Sequence, residues 1–450
     1  MYDAVSVEER NKPAVVLTNQ GFIMDARSAA SGKGMPGVRI VPETIPCECT
    51  VMEDIEAGVS AVVDDIVVAL TRQLTEEEKS PKPKKVEKLS RVVFKGDLQE
   101  VNQFFYKRGW TDGLSIIPPT EEAVEEMLKG TDLPADHVVG KIVPRLGKAT
   151  VEKIAINAIM AGALPTYMPL LIAGVQALMD PKTNFGMWGV STGSFAPFWI
   201  INGPVRNDIN VNSGSGALSP GDIANAAIGR AMGLIIKNIG GVRKGIEDMG
   251  VLGNPMKYGM VIAENEEDSP WEPLHVEHGF NKDDSTVTVS MSHCYSQIWP
   301  YGMDDMGILN SVIYNIIPAR RGLFCLVLPP QHARLLATKG WEKKEIKAFI
   351  SEYARVPAYR HPMYWGIWIW AAKEKQRVPM NPMDSMPILR NPDWIRILVA
   401  GGSGIFIGLL VGVIVEGTDM GWVTKKVELP VNWDKLVKKY KDIVPTYVLY

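Results

Sequence analysis

The chain of 450 residues carries a formal net charge of -3, with 46% hydrophobic and 22% charged residues. This is the balance of a globular chain with roughly two or three compact units. It excludes the strongly basic surface that nucleic acid or an anionic membrane would require. Four cysteines, Cys47, Cys49, Cys294 and Cys325, are too few for a disulfide framework and point to a reducing, cytoplasmic setting.

The opening MYDAVSVEERNKPAVVL places acids early and lacks an apolar run before a cleavage site, so it does not read as a signal peptide. Residues 1–78 predict a small α/β unit. Strands are expected at Ala14–Thr18 and, after the turn Gly34-Met35-Pro36-Gly37, at Val38–Val41. One amphipathic helix is expected over Met52–Leu74 from the spacing of Ile55, Val59, Val62, Ile66 and Leu70. Residues 79–90 are dense in charge and contain two prolines, the composition of a solvated linker.

The main unit, residues 91–450, alternates the two periods and reads as mixed α/β. Helices are expected at Leu98–Arg108, after the cap Thr120, and at Ala149–Ala163, Thr166–Met179, Ile223–Ile236, His332–Thr338 and Lys343–Tyr353. Strands are expected at Ala196–Ile201, Tyr258–Ala263, Thr286–Met291, Gly322–Val327 and Ile395–Ala400, with a loop running into a short strand over Gly109–Pro119. Ala400–Val415 is uncharged but shorter than the roughly 18–20 residues that span a bilayer, so no membrane span is expected. As a helix it would align Gly404, Gly408 and Gly412 on one face; as strands it is a glycine turn between two buried runs.

Two loops carry most of the chemistry. In Asn212–Asp222 (NSGSGALSPGD), small residues let backbone N–H groups converge ahead of a helix. Asn212, Ser213, Gly214, Ser215 and Gly216, with Arg206 upstream, suit a carboxylate or phosphate. The plainer alternative is a tight loop capped by Ser219 with Pro220 opening the helix. In Glu264–His278 (ENEEDSPWEPLHVEH), Glu264, Glu266, Glu272, His275 and His278 supply acid–base groups just past a strand end. His275 and His278 are also candidate metal ligands with Glu272 or Glu277; the alternative is a solvated acidic loop.

Other candidates are weaker. His293-Cys294 pairs a thiol with a histidine, yet neighbours on a strand point to opposite faces. Cys47-Glu48-Cys49 is a lone thiol pair, and Cys325 within LFCLVL reads as core. His332 opens a helix, where the dipole would keep its ring neutral. Trp110 and Asp112 sit in the first loop of the main unit. Ile397–Gly408 lacks the acidic partner of a dinucleotide fingerprint. The aromatic run Tyr364–Trp370 (YWGIWIW) suits an interface or a core.

The stretches GWTDGLSIIPPTEEAVEEML, INGPVRNDINVNSGSGALSPGDIANAAIGRA, AENEEDSPWEPLHVEHGF and PPQHARLLATKGWEKKEIKAFISEYARVP resemble a bacterial family associated with the UGSC-motif proteins, which often carry selenocysteine. The resemblance spans about Phe94 to Val427. Ala26–Thr71 resembles only the C-terminal portion of the UGSC domain; the segment with its redox motif has no counterpart here. The resemblance implies a homo- or hetero-oligomer, with a UGSC-type subunit as a candidate partner. Its association with thiols implies an oxidoreductase or lyase acting on a small anionic, carboxylate-bearing substrate, and names no cofactor. Histidines of the family pattern near Ser191–Ser194 and after Gly401–Gly404 are absent from this chain. That departure leaves a non-catalytic binding or assembly subunit as the rival reading.

Overall fold

A computed structural model describes residues 1–47, 49, 51–79, 90–317, 322–361, 381–389, 391–413 and 421–443. The N-terminal unit runs α1 (Tyr2–Glu8), β1 (Val15–Asn19), α2 (Ile23–Gly32), β2 (Arg39–Glu43), α3 (Met52–Ser60) and α4 (Val63–Thr71). Its two strands are parallel, and its core is small: Val5, Ala26, Ala30 and Val41. The single helix expected over Met52–Leu74 is two. Val62 leaves helical geometry with φ -119°, in a stretch of Gly58, Ser60 and paired valines that propagates a helix poorly. Ser28 donates to the buried carboxylate of Glu247, which joins this unit to the main one.

In the main unit, α5 (Leu98–Lys107) opens with a reciprocal capping box between Asp97 and Glu100. Thr120 caps α6 (Glu121–Leu128), and no strand forms over Gly109–Pro119. An unexpected hairpin of β3 (Val138–Ile142) and β4 (Gly147–Thr150) leads into α7 (Val151–Met160), capped by Thr150. Helix α8 (Met168–Met179) is buried almost all round, as an apolar sequence without a polar face requires. There follow β5 (Ala196–Asn202), α9 (Ile223–Asn238), β6 (Val261–Ala263), α10 (Leu274–Glu277) and β7 (Thr286–Ile298). The C-terminal part holds α11 (Asp305–Asn315), β8 (Phe324–Leu328), α12 (Pro330–Thr338), α13 (Lys343–Tyr353), β9 (Arg355–Pro357), β10 (Ser385–Pro387), β11 (Ile395–Val399), β12 (Ile407–Gly412), β13 (Val423–Lys426) and α14 (Trp433–Tyr440).

The main sheet has the order β11-β8-β12-β7-β5-β6, with β13 also on β7. Strands β11 and β8 are parallel, as are β5 and β6; the other neighbours are antiparallel. One face of this sheet is an inner face. Phe198 and Ile200 of β5, Ile262 of β6, Cys325 and Val327 of β8, Leu398 of β11 and Leu410 of β12 form a single apolar cluster. Strands from both edges contribute, so the sheet curls on itself, and Asn265 N–H donates to the Val399 carbonyl at 2.8 Å across the seam. The outer faces carry the helices: α7, α8 and α9 cover Trp199, Ile201 and Val289. Helices α11, α12 and α13 cover Leu326, Ile397 and Leu409.

A register shift between Val411 and Gly412 marks a bulge in the β7–β12 pairing. It switches which β7 residues face inward, from Thr288 and Ser290 before it to Tyr295 after it. The helical alternative for Ala400–Val415 does not occur; the described part follows β11 as a glycine turn and β12.

Candidate functional site

The pairings put the ends of β8, β11 and β7 at one mouth of the curled sheet and the ends of β5 and β6 at the other. At the first mouth lies a cleft of about 240 Å³. Its rim is two glycine-rich loops, Gly214–Ser219 and Gly401–Gly404; its floor is Ile262, Val327 and Tyr295, with Gln297 and Phe406 beside them. The loops touch: Gly401 N–H donates to the Ser213 carbonyl at 2.8 Å, and a Cβ on Gly402 would lie 2.6 Å from Ser215 Cβ. Only glycine fits there. The N–H groups of Ser215, Gly216, Gly402, Ser403 and Gly404 take no partner among the described residues.

The loop is shaped by two asparagines. Asn212 accepts from Gly214 N–H at 2.7 Å and donates to Asp222 at 2.8 Å. Asn225, which the sequence reading missed, donates to the carbonyls of Asn212, Ala217 and Val261. Helix α9 starts at Ile223 with Asp222 as its cap residue, so Ser219 and Pro220 belong to the loop. Of the described residues lining the cleft, Tyr295 alone titrates, and burial raises its phenol above the ordinary value.

At the other mouth is a closed acid cluster. Glu264, fully buried at the end of β6, accepts from Asn202 Nδ2 at 2.6 Å and from Leu274 N–H at 2.8 Å. Glu266 accepts from Asn202 (3.0 Å) and Gly203 N–H (2.7 Å), and pairs with Arg206 Nε at 3.1 Å. Arg206 is 4% exposed; it also donates to the carbonyls of Gly203 and Glu264 and grips Glu267 in a fork at 3.1 and 3.2 Å. Its guanidinium therefore serves the acids and not the NSGSG loop. Lys343 reaches Glu277 at 2.5 Å and lies 3.8 Å from Glu264; Lys347 takes the other Glu277 oxygen at 2.7 Å.

The electrostatics follow from these contacts. Three cations, Arg206, Lys343 and Lys347, face four carboxylates, Glu264, Glu266, Glu267 and Glu277. Arg206 holds Glu267 down to about 2. Burial pushes Glu277 upward, but its two lysines outweigh this and keep it below the usual carboxylate range. Glu264 goes the other way: burial raises its pKa more than Lys343 and its hydrogen bonds lower it. Its Oε1, with Asn202 Oδ1, Thr286 Oγ1 and His275 Nδ1, has no hydrogen-bond partner among the described residues.

The histidines enter different networks. His275 Nε2 meets the Lys282 carbonyl at 3.2 Å, and its Nδ1 lies 4.0 Å from Glu266. His278 sits between Thr424 (2.6 Å) and Arg396 Nε (3.1 Å); burial, then the Arg396 charge, brings it down to about 4. Thr424 bonds on to Thr288 at 2.8 Å. Among the described residues, no group of three or more histidines, cysteines or acids is placed to hold a metal ion. Glu272 is exposed and contributes its carbonyl to Lys343.

The remaining candidates lie elsewhere. Trp110 packs on Phe104 and Phe105, and Asp112 is forked by Arg230 at 2.8 and 3.0 Å. His293 is exposed beside Phe195, while Cys294 packs on the outer cluster under the helices, as opposite faces of a strand demand. His332, in the first turn of α12, is buried without a partner for either ring nitrogen among the described residues, and burial lowers its pKa. Cys325 is core, its thiol pushed up to about 12 by burial. Tyr364–Trp370 lies outside the described residues. Of the cluster, Asn202, Lys343, Lys347 and Arg396 escaped the sequence reading; only Arg396, a charge inside the apolar strand WIRILVA, left a visible signal.

The N-terminal unit carries the decisive likeness. Residues 1–72 match the UGSC family. The match begins ahead of Ala26 and takes in both strands of the UGSC-like unit, but it ends before the main unit and the cleft. No curated protein and no solved structure matches the chain. No described helix is long and apolar enough to cross a membrane.

Proposed function

We propose that this chain is the substrate-binding subunit of an enzyme, in a cytoplasmic setting, that acts on a small carboxylate-bearing molecule held in the cleft. The observation that carries this reading is the meeting of the two glycine-rich loops at the cleft rim, where the N–H groups of Gly216, Gly402, Ser403 and Gly404 have no partner among the described residues. Such a nest favours an anion without needing a cationic side chain. Tyr295 is the one titratable side chain among the described residues lining the cleft, and its phenol is the candidate proton donor of a lyase. The test is titration of the full chain with acetate, read by amide shifts. Movement of the Ser215, Gly216, Gly402, Ser403 and Gly404 signals is expected; shifts confined to other residues would sink the reading. The lyase arm is tested by proton exchange into a panel of carboxylates in heavy water, with loss of exchange in Tyr295→Phe expected.

A second reading, an assembly subunit with a UGSC-type partner, is favoured by one observation. Neither α3 nor α4 buries a residue, and Val63, Val67 and Leu70 form an exposed apolar stripe along α4. Apolar patches of this kind mark interaction surfaces. Val63→Asp with Val67→Asp should lower the native mass of the complex isolated from its source; an unchanged mass would remove this support.

A further inference from the structure

The chemistry of the cleft wall restricts what its anion can be. We propose that the ligand is a monocarboxylate with a flat, apolar body, an aromatic carboxylate the size of benzoate being its simplest form. This rests on the reading of the cleft as an anion site and goes on to name the rest of the molecule.

Size is the first constraint. The cleft of about 240 Å³ takes a ring with one carboxylate. Charge is the second. Among the described residues no lysine, arginine, histidine or acid lines the cleft, so an anion there meets hydrogen-bond donors, the loop N–H groups with Ser219, Ser403, Gln297 and Tyr295, and no counter-charge. The loops sit at the rim; a second carboxylate reaching past them to Ile262 and Val327 would find no counter-charge, and burying an unpaired charge is costly.

Shape is the third. Tyr295 forms part of the floor, and Phe406 stands at the edge with its ring 6.2 Å from that of Trp299. Aromatic walls of this kind favour a planar ligand, which they meet by stacked or edge contacts. Gly408 makes the space: a Cβ there would lie 3.1 Å from Val327 Cβ and 3.4 Å from the Tyr295 ring. A larger side chain at 408 would occupy the room beside that ring.

The experiment is isothermal titration of the full chain with benzoate, benzamide, succinate and inorganic phosphate. Benzoate is expected to bind at least roughly ten-fold more tightly than the other three. Gly408→Val should weaken benzoate by a similar factor, and Phe406→Ala, an exposed position that leaves the core untouched, should weaken it less. If succinate or phosphate binds as well as benzoate, the apolar body is wrong while the anion site stands. If benzamide matches benzoate, the flat body stands and the anion site fails. Binding of none of the four overturns both, and benzoate binding that ignores both substitutions places it outside the cleft and overturns the proposal.

Discussion

Replacing Arg206 by methionine is the sharpest test of the acid cluster as a structural device. The substitution keeps the length of the aliphatic stem and removes the guanidinium. Glu267, the forked partner, is 59% exposed on its side chain, so losing that pair costs little, under about 1 kcal/mol. Glu266 decides the magnitude. Its side chain is 9% exposed, and without Arg206 it keeps only Asn202 and Gly203 N–H as donors. A buried carboxylate stripped of its cation costs about 3–5 kcal/mol, and the carbonyls of Gly203 and Glu264 lose their donor as well. Urea unfolding followed by tryptophan fluorescence, with the slope compared between variants, measures the difference. Glu267→Gln should stay within about 1 kcal/mol of the parent. Adding Glu266→Gln to Arg206→Met should recover much of the loss, because the orphaned charge is then gone. A loss below about 1 kcal/mol for Arg206→Met alone would refute the argument.

Other outcomes follow from the same contacts. Because burial raises Glu264 above the ordinary 4.5, the stability it contributes is full below pH 4.5 and is lost as pH rises through its folded value; Glu264→Gln should flatten that loss in unfolding midpoints taken from pH 5 to 9. His278 is depressed from 6.5 to about 4, so its contribution is present above pH 6.5 and drains away as pH falls toward 4; His278→Phe should remove that slope, and an unchanged slope would contradict the assignment. Cys325, with its thiol pushed up to about 12, should react with iodoacetamide only on unfolding, whereas exposed Cys47 reacts in the native protein, as peptide mass spectrometry can follow. Asp97→Ala should cost about 1 kcal/mol through loss of the α5 cap, with Asn at the same position nearly neutral in thermal unfolding.

Much of the local structure was legible because it obeys local rules. Thr120 announces a helix by its cap, and TVTVSMS alternates with period two because one face of β7 packs on helices and the other looks inward. The Met52–Leu74 helix was misread where periodicity ran on through a stretch of weak helix formers. The β3–β4 hairpin was missed because VVGKIVPRLGKAT has no clean alternation. For the site, the two loops were found from composition, but their relation was not.

The sequence by itself determined which segments hold chemistry: glycines at 214, 216, 401, 402 and 404 permit close backbone approach, and a density of acids after β6 marks a charged cluster. Only the tertiary structure decided what each does. Arg206 lies a few residues from NSGSG, yet it turns to Glu266 and Glu267, because the end of β6 is brought beside the end of β5 by parallel pairing. The bulge opposite Val411–Gly412 turns Tyr295 inward, and closure of the sheet through Asn265 and Val399 sets the glycine loops face to face. These are contacts between residues sixty or more positions apart, fixed by strand register, and register depends on which partner a strand meets, a choice its own residues do not encode.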